Sequence, residues 1–201
     1  MAVITISRQF GAGGKTIGDM VSKKLSYLFL DDQIIQMVAV KAKVSPSYVK
    51  SIEREAGGTL LKFITSLGRK SFVDRISGGG GYLDEEIYID SLNTVITQAA
   101  REGNVVILGR GGQFILRDSE DAYHVLVVAE KSDRIRFMEK QYSFSPERAR
   151  QVVERQKKRR ANLYRKFGQE DYEDPALYHL ILNTSRLSIE EACEHIRMLV
   201  Y

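Results

Sequence analysis

The sequence predicts an α/β fold built on an open, doubly wound parallel sheet, and three observations carry that expectation. Short β-rich runs alternate with longer segments of helical spacing along the 201 residues. Two of the runs, residues 104–108 (NVVIL) and 124–129 (HVLVVA), are apolar on both faces, as strands covered by helices on either side are. A glycine-containing stretch, residues 11–14, separates a strand-like run from a helix-like one. Ligands of such sheets lie beyond the carboxyl ends of the strands, so functional residues are sought there.

Residues 2–7 (AVITIS) read as the first strand, and residues 15–25 as the first helix, with Ile17, Met20, Val21 and Leu25 at helical spacing. Residues 27–30 can form a second short strand. Residues 33–44 follow as a helix with Ile34, Ile35, Val38 and Ala39 on one side. Ser45-Pro46 offers an N-cap followed by proline at the first helical position, so another helix starts there. Between residues 45 and 90 the helical pattern is broken at Gly57-Gly58 and at residues 78–81 (GGGG). The four-glycine run has no side chains to pack and no following lysine, which favours a mobile linker over a phosphate loop. Residues 84–101 predict a long helix leading into the third strand at 104–108, which ends in Gly109-Arg110-Gly111-Gly112. After the fourth strand at 124–129, residues 130–142 and 146–164 read as helices. Residues 178–182 close the sheet, and 188–199 form the last helix, with Ser188 and Glu191 in a capping pattern. Its apolar stripe is Ile189, Ala192, Cys193, Ile196 and Leu199.

A 43% hydrophobic composition over this length suits one domain with local insertions. No run of 18 apolar residues and no basic leader ahead of an apolar stretch are found, so neither a membrane span nor secretion is expected, and a cytoplasmic protein is. One cysteine, Cys193, cannot make an internal disulfide and reads as a buried thiol. The three histidines have no ligand-like spacing, so no protein-bound zinc is expected. The net charge of +4 is concentrated in residues 155–166 (RQKKRRANLYRK), which hold seven basic residues and no acidic one. Such a run can be a nucleic-acid footprint, a solvated helix face or a polyphosphate clamp. No aromatic-basic alternation accompanies it, which argues against a nucleic-acid partner.

The segment SRQFGAGGKT (residues 7–16) ends in Gly14-Lys15-Thr16, the terminal G-K-T of a P-loop, between a strand and a helix as that motif requires. Backbone N–H groups of Gly11, Ala12, Gly13 and Gly14 would cradle phosphate oxygens. Lys15 would reach the β- and γ-phosphates of ATP, and the Thr16 hydroxyl would ligate Mg²⁺. The full motif asks for glycine at position 9, where this chain has Gln9.

On these residues the chain resembles the cytidylate kinase-like family of P-loop nucleoside monophosphate kinases over nearly its full length. The likeness is carried by ITISRQFGAGGKTIG, LDD after the second strand, VVILGRGG at the third, RQKKRRANLYRKFG, and HLILNTSRLSIEEACEHI. It implies a P-loop NTPase-type three-layer fold with a parallel central sheet. The core would comprise about residues 1–31, 91–145 and 173–201, with a helical acceptor-binding insertion at about 32–90 and an arginine-rich lid at about 146–172. The implied reaction is transfer from ATP, with Mg²⁺, to a nucleoside monophosphate, CMP or dCMP foremost. Arg155 and Arg159, one helical turn apart, and Arg160 beside them would be catalytic clamps of the γ- and acceptor phosphates, because phosphoryl transfer needs positioned positive charge. Arg165 would join them in acceptor binding. Arg110 resembles the arginine that holds the acceptor's phosphate, with a structural ion pair as the alternative. Asp31 resembles an aspartate near the acceptor, with helix capping by Asp31 or Asp32 as the alternative. The chain departs from the family pattern at Gln9, at Gly111 where cytidylate kinases carry an aspartate for pyrimidine recognition, and at the third strand, which has no acidic end. A kinase of another small metabolite and a nucleotide-binding regulatory protein without catalysis are the competing readings. The oligomeric state is not set by the sequence.

Overall fold

A computed structural model describes residues 2–55, 85–168 and 171–200 of the chain. The glycine breaks at 57–58 and 78–81 lie outside the described residues. In chain order the elements are β1 (Val3–Arg8), α1 (Gly14–Leu25), β2 (Leu28–Leu30), α2 (Gln33–Ala42), α3 (Pro46–Glu55), α4 (Glu85–Glu102), β3 (Val105–Leu108), α5 (Gly112–Ile115), β4 (Ala122–Val128), α6 (Lys131–Tyr142), α7 (Pro146–Arg165), β5 (Leu180–Asn183) and α8 (Ile189–Arg197). Short 3₁₀ turns at Pro175–Leu177 and Met198–Val200 flank the last strand and helix.

The five strands pair in the order β2-β3-β1-β4-β5, and every pairing is parallel. Side chains alternate across a strand, and here each face meets its own helical layer. Val3, Val105 and Ile107 pack with Ile34, Ile35 and Val38 of α2 and with Tyr88, Leu92 and Ile96 of α4. Ile4, Ile6, Val106, Leu108, Val125 and Val127 pack with Ile17 and Val21 of α1 and with Ala192, Cys193 and Ile196 of α8. β3 is therefore buried at all four positions, the physical reason that NVVIL reads as a continuous apolar run. Cys193 is a buried free thiol in the second of these layers. A smaller cluster, Met138, Ala149 and Val153, joins α6 to α7 and packs on Phe10 of the loop after β1.

Local chemistry sets most of the helix ends. α7 opens on Ser145, whose hydroxyl accepts from the Arg148 N–H, with proline at the first turn. α8 opens on a reciprocal capping box between Ser188 and Glu191. α2 ends at Ala42 rather than Val44, because Lys43 turns left-handed (φ 55°) and returns its N–H to the carbonyls of Ala39 and Val40. The last strand starts at Leu180 rather than at residue 178, since Asp174 caps a 3₁₀ turn that occupies Pro175–Leu177. Among the described residues no helix is long and apolar enough to cross a membrane.

Candidate active site

The carboxyl ends of β1, β2 and β3 converge with the start of α1. β1 finishes at Arg8, the chain turns through Gln9–Gly13, and α1 begins at Gly14 with Gly13 left-handed (φ 81°) at its N-cap, a conformation glycine adopts without strain. Gln9, standing where the full motif has glycine, is tied at both ends of its amide. Its carbonyl oxygen accepts from the Ala129 N–H (3.1 Å) and its amide nitrogen donates to Glu173 (2.8 Å), fastening the loop to the end of β4 and to the chain beyond α7. Lys15 and Thr16 are exposed. Both face a cleft of about 690 Å³ walled by the loop, by Asp31 and Asp32 after β2, and by Phe137, Met138 and Tyr142 of α6.

Lys15 Nζ lies 2.7 Å from Asp31 Oδ2, and the other oxygen of that carboxylate accepts from Arg110 Nη1 at 2.9 Å. Asp31 is thus a bridging counterion. The N-cap of α2 is Asp32, without a side-chain cap bond, so helix capping does not account for Asp31. Burial alone would raise the Asp31 carboxyl, but the Lys15 hydrogen bond and the charge of Arg110 outweigh it and hold the group below its ordinary range. The Lys15 ammonium is raised in turn, mainly by that hydrogen bond.

Arg110 sits in a short backbone strain. Gly109, Arg110 and Gly111 are all left-handed (φ 71°, 52° and 75°), and for arginine that conformation costs about 1–2 kcal/mol. Its side chain, 9% exposed, also donates from Nε to Glu53 (3.3 Å), from Nη2 to Asp32 (3.4 Å) and from Nη1 to the Leu108 carbonyl (3.4 Å). Glu53, on α3, accepts a further bond from Tyr88 of α4 at 2.9 Å. Burial would lower the guanidinium's pKa, yet Glu53 and Asp31 together raise it, and Arg110 stays charged. Glu53 and Tyr88 were not legible as site residues, since each stands on a helix with no motif around it.

The basic segment divides on folding. Arg159 and Arg160 line a cavity of about 130 Å³ together with Arg8, Arg110, Glu53 and Tyr164. Arg160 donates to the Arg8 carbonyl and lies over the Phe10 ring, 5.6 Å from its centroid. Arg155 is exposed and lines a separate groove with Arg150, Lys158 and Arg159, so of the pair one turn apart only Arg159 reaches the cavity. Arg165 is exposed at the end of α7 and lines neither. Beyond α7, the Phe167 ring covers Gly111, where a Cβ would lie 2.6 Å from the ring, and stacks on Phe114. Arg8, a fourth arginine of the cavity, reads in sequence as no more than the residue after a strand. Burial first, then the charges of Arg160 and Arg110, push its pKa down to about 9.

No curated protein sequence matches the chain. In structure it is similar to an uncharacterized protein from Eubacterium ventriosum, with a TM-score of 0.70, 15% identity, and coverage of 100% of this chain and 98% of that one. It is also similar to a shikimate kinase from Bacteroides thetaiotaomicron (TM-score 0.54, 14% identity, 99% and 98% covered). A third likeness is to TT1252 from Thermus thermophilus (TM-score 0.52, 17% identity, 100% and 98% covered). At such identities the likeness is one of fold, that of the P-loop kinases. A sequence profile described as the cytidylate kinase-like family matches residues 3–186, nearly the whole chain. On that match the chain belongs to the cytidylate kinase-like family, and the match together with the kinase fold supports a kinase of a nucleotide or small metabolite.

Proposed function

We propose that the protein transfers the γ-phosphoryl group of ATP to a nucleoside monophosphate, with CMP and dCMP the first acceptors to test. The observation that carries this reading is the cavity shared by the guanidinium groups of Arg8, Arg110, Arg159 and Arg160, two of which also line the phosphate-loop cleft. Four cations around about 130 Å³ suit a dianionic phosphate, and arginine's fork suits its oxygens. In the reaction an acceptor phosphate oxygen bonds to the γ-phosphorus, the bond from that phosphorus to the β–γ bridging oxygen breaks, and the electron pair leaves with ADP. A phosphate oxygen is already deprotonated at neutral pH, so no general base is required.

Lys15 would turn from Asp31 to the β- and γ-phosphates, and Arg110 from Glu53 and Asp31 to the acceptor phosphate. Mg²⁺ carried on ATP would neutralise the developing charge. That ion needs few protein ligands when phosphates and water supply the rest, and the exposed Thr16 hydroxyl facing the same cleft as Asp32 fits the demand. In this reading residues of about 32–90 receive the acceptor, and residues of about 146–172 act as the lid that brings Arg159 and Arg160, with Arg155 and Arg165 at its outer side. The setting is the cytoplasm.

A second reading has its own support. Asp31 lies 2.7 Å from Lys15 and is held ionised, where a base for a hydroxyl acceptor would stand, and Arg110 is already balanced by carboxylates. A kinase of a hydroxylated metabolite would use both. One panel separates the two: ADP release from Mg-ATP with each ribo- and deoxyribonucleoside monophosphate and with hydroxylated small acceptors. Saturable turnover of CMP or another monophosphate is expected. Turnover confined to a hydroxyl acceptor would shift the assignment to the second reading, and no ADP above the ATP-only rate with any acceptor would sink both.

A further inference from the structure

We infer that Arg8 is a catalytic residue, a cation built into the phosphate loop that contacts the phosphoryl group in transit. Three observations place it there. It lines both the phosphate-loop cleft and the arginine cavity, a position it shares only with Arg160 among their described lining residues, so its guanidinium stands at the passage between donor and acceptor. Its stem lies along Gly14: a Cβ built on that glycine would come 2.7 Å from the Arg8 Cβ and 2.9 Å from its Cγ. Its head fills the space over Gly109, where a Cβ would collide with Nη1. The side chain therefore runs from the first turn of α1 to the end of β3.

The sequence register gives this path a meaning. Counted from Arg8, residues 8–14 read R-Q-F-G-A-G-G. One residue out of the register that sets Gln9 and Lys15 at the motif's first glycine and lysine, G-x-x-x-x-G-K would set Arg8 at that glycine and Gly14 at that lysine. The arginine occupies the room that a side chain at position 14 would need. Among the described residues no carboxylate is in ion-pair contact with the Arg8 guanidinium, although Asp31 favours its charge at longer range. Its close neighbours Arg160 and Arg110 repel it instead. A half-buried cation among cations is costly to hold unless an anion joins them, and the anion that both cavities await is the transferring phosphoryl. As the acceptor oxygen bonds to phosphorus and the bond to ADP breaks, Arg8 would donate to the equatorial oxygens, on which charge spreads. Unlike Arg159 and Arg160, it is carried on the sheet and not on α7.

This role rests on the phosphoryl-transfer reading above, and the test separates the two. Wild type, Arg8→Gln and Arg8→Lys are compared in acceptor-dependent ADP release and in calorimetric binding of ATP and of ADP with Mg²⁺, with thermal unfolding as the check on folding. For Arg8→Gln, kcat is expected to fall at least about 100-fold, in the range of a lost arginine finger. ATP affinity is expected to fall about tenfold, while ADP, which lacks the γ-phosphate, binds within about threefold of wild type. Arg8→Lys keeps the charge without the fork and is expected to lose about tenfold in kcat; it decides the matter if Arg8→Gln does not fold. A kcat and an ATP-to-ADP affinity ratio within threefold of wild type would overturn the assignment. Should wild type show no acceptor turnover, the phosphoryl-transfer reading fails by itself, and the affinity ratio alone decides for or against Arg8 as the γ-phosphate contact.

Discussion

Arg110 is the residue on which most of the charge balance turns. It is nearly buried, sits in a strained backbone, and joins Asp31, Asp32 and Glu53. Replacing it with alanine would leave Glu53 and Asp31 partly buried without their main countercharge, a loss of the kind that costs about 3–5 kcal/mol. Arg110→Ala is therefore expected to lower stability by that order in urea unfolding, and Arg110→Lys, which keeps one charge, by less. If the acceptor carries a phosphate, Arg110→Lys should also raise its KM by more than tenfold with ATP binding unchanged. A purely structural Arg110 would leave KM in place. Lys15, Thr16, Asp31 and Arg110 were legible because each stands in a short motif at a strand end. Glu53 lies 57 residues from the arginine it pairs with, on a helix with no local signature, and the packing of α3 against α2 and α7 brings it in. Arg8 was hidden for another reason: its meaning depends on the missing side chain of Gly14, and an absence gives no pattern.

At the scale of elements, α7 and the turn that follows it are held to the sheet by aromatic contacts as well as by arginines. Phe167 stacks on Phe114, Phe114 meets Tyr164 edge-on (centroids 5.6 Å apart), and Tyr164 stacks on Tyr172 at 4.5 Å. Gly111 is the floor of that cluster. Gly111→Ala would place a methyl 2.6 Å from the Phe167 ring at a left-handed φ of 75°. We expect it to destabilise the protein by about 2 kcal/mol from strain and displaced packing, and Phe167→Ala to relieve part of that loss when the two are combined. Thermal unfolding of the two single variants and the double variant measures the coupling. Additive losses would mean that the ring does not rest on Gly111 in solution. The long helices and their caps were legible from Ser145-Pro146 and from Ser188 with Glu191, which are contiguous signals. α5 was not, because four residues, GQFI, are too few to show a period.

Over the whole molecule, the cover of β3 by helices on both faces was readable in the sequence, but the strand order was not. Which strand lies beside β1 depends on where the helical crossovers deliver the chain, and β3 reaches it only after residues 31–104 have passed. The same order puts His124 of β4 beside Thr5 of β1, whose hydroxyl is 2.8 Å from its Nδ1, and near His179, whose Nδ1 accepts from the His124 backbone N–H. Burial first, then the neighbouring His179, lower the His124 pKa from 6.5 to about 4. The folded protein thus holds this imidazole neutral where the unfolded chain would protonate it. Its contribution to stability is fully present above pH 6.5 and is lost as pH falls towards 4, up to about 3 kcal/mol. Urea unfolding at pH 7 and pH 4.5 should show that slope, and His124→Gln should flatten it. An unchanged slope would place the acid sensitivity elsewhere.

Asp31 carries one more consequence. Its two neutralising cations, Lys15 and Arg110, are the groups that the donor and the acceptor would each draw away. Whichever substrate binds first leaves the carboxylate dependent on the remaining cation, so the second must break a tighter pair than it would have met in the empty enzyme. Donor and acceptor are then antagonistic ligands, and by thermodynamic reciprocity each weakens the other by the same factor. The cost of assembling the ternary complex would thus be set by a single side chain that need touch neither substrate.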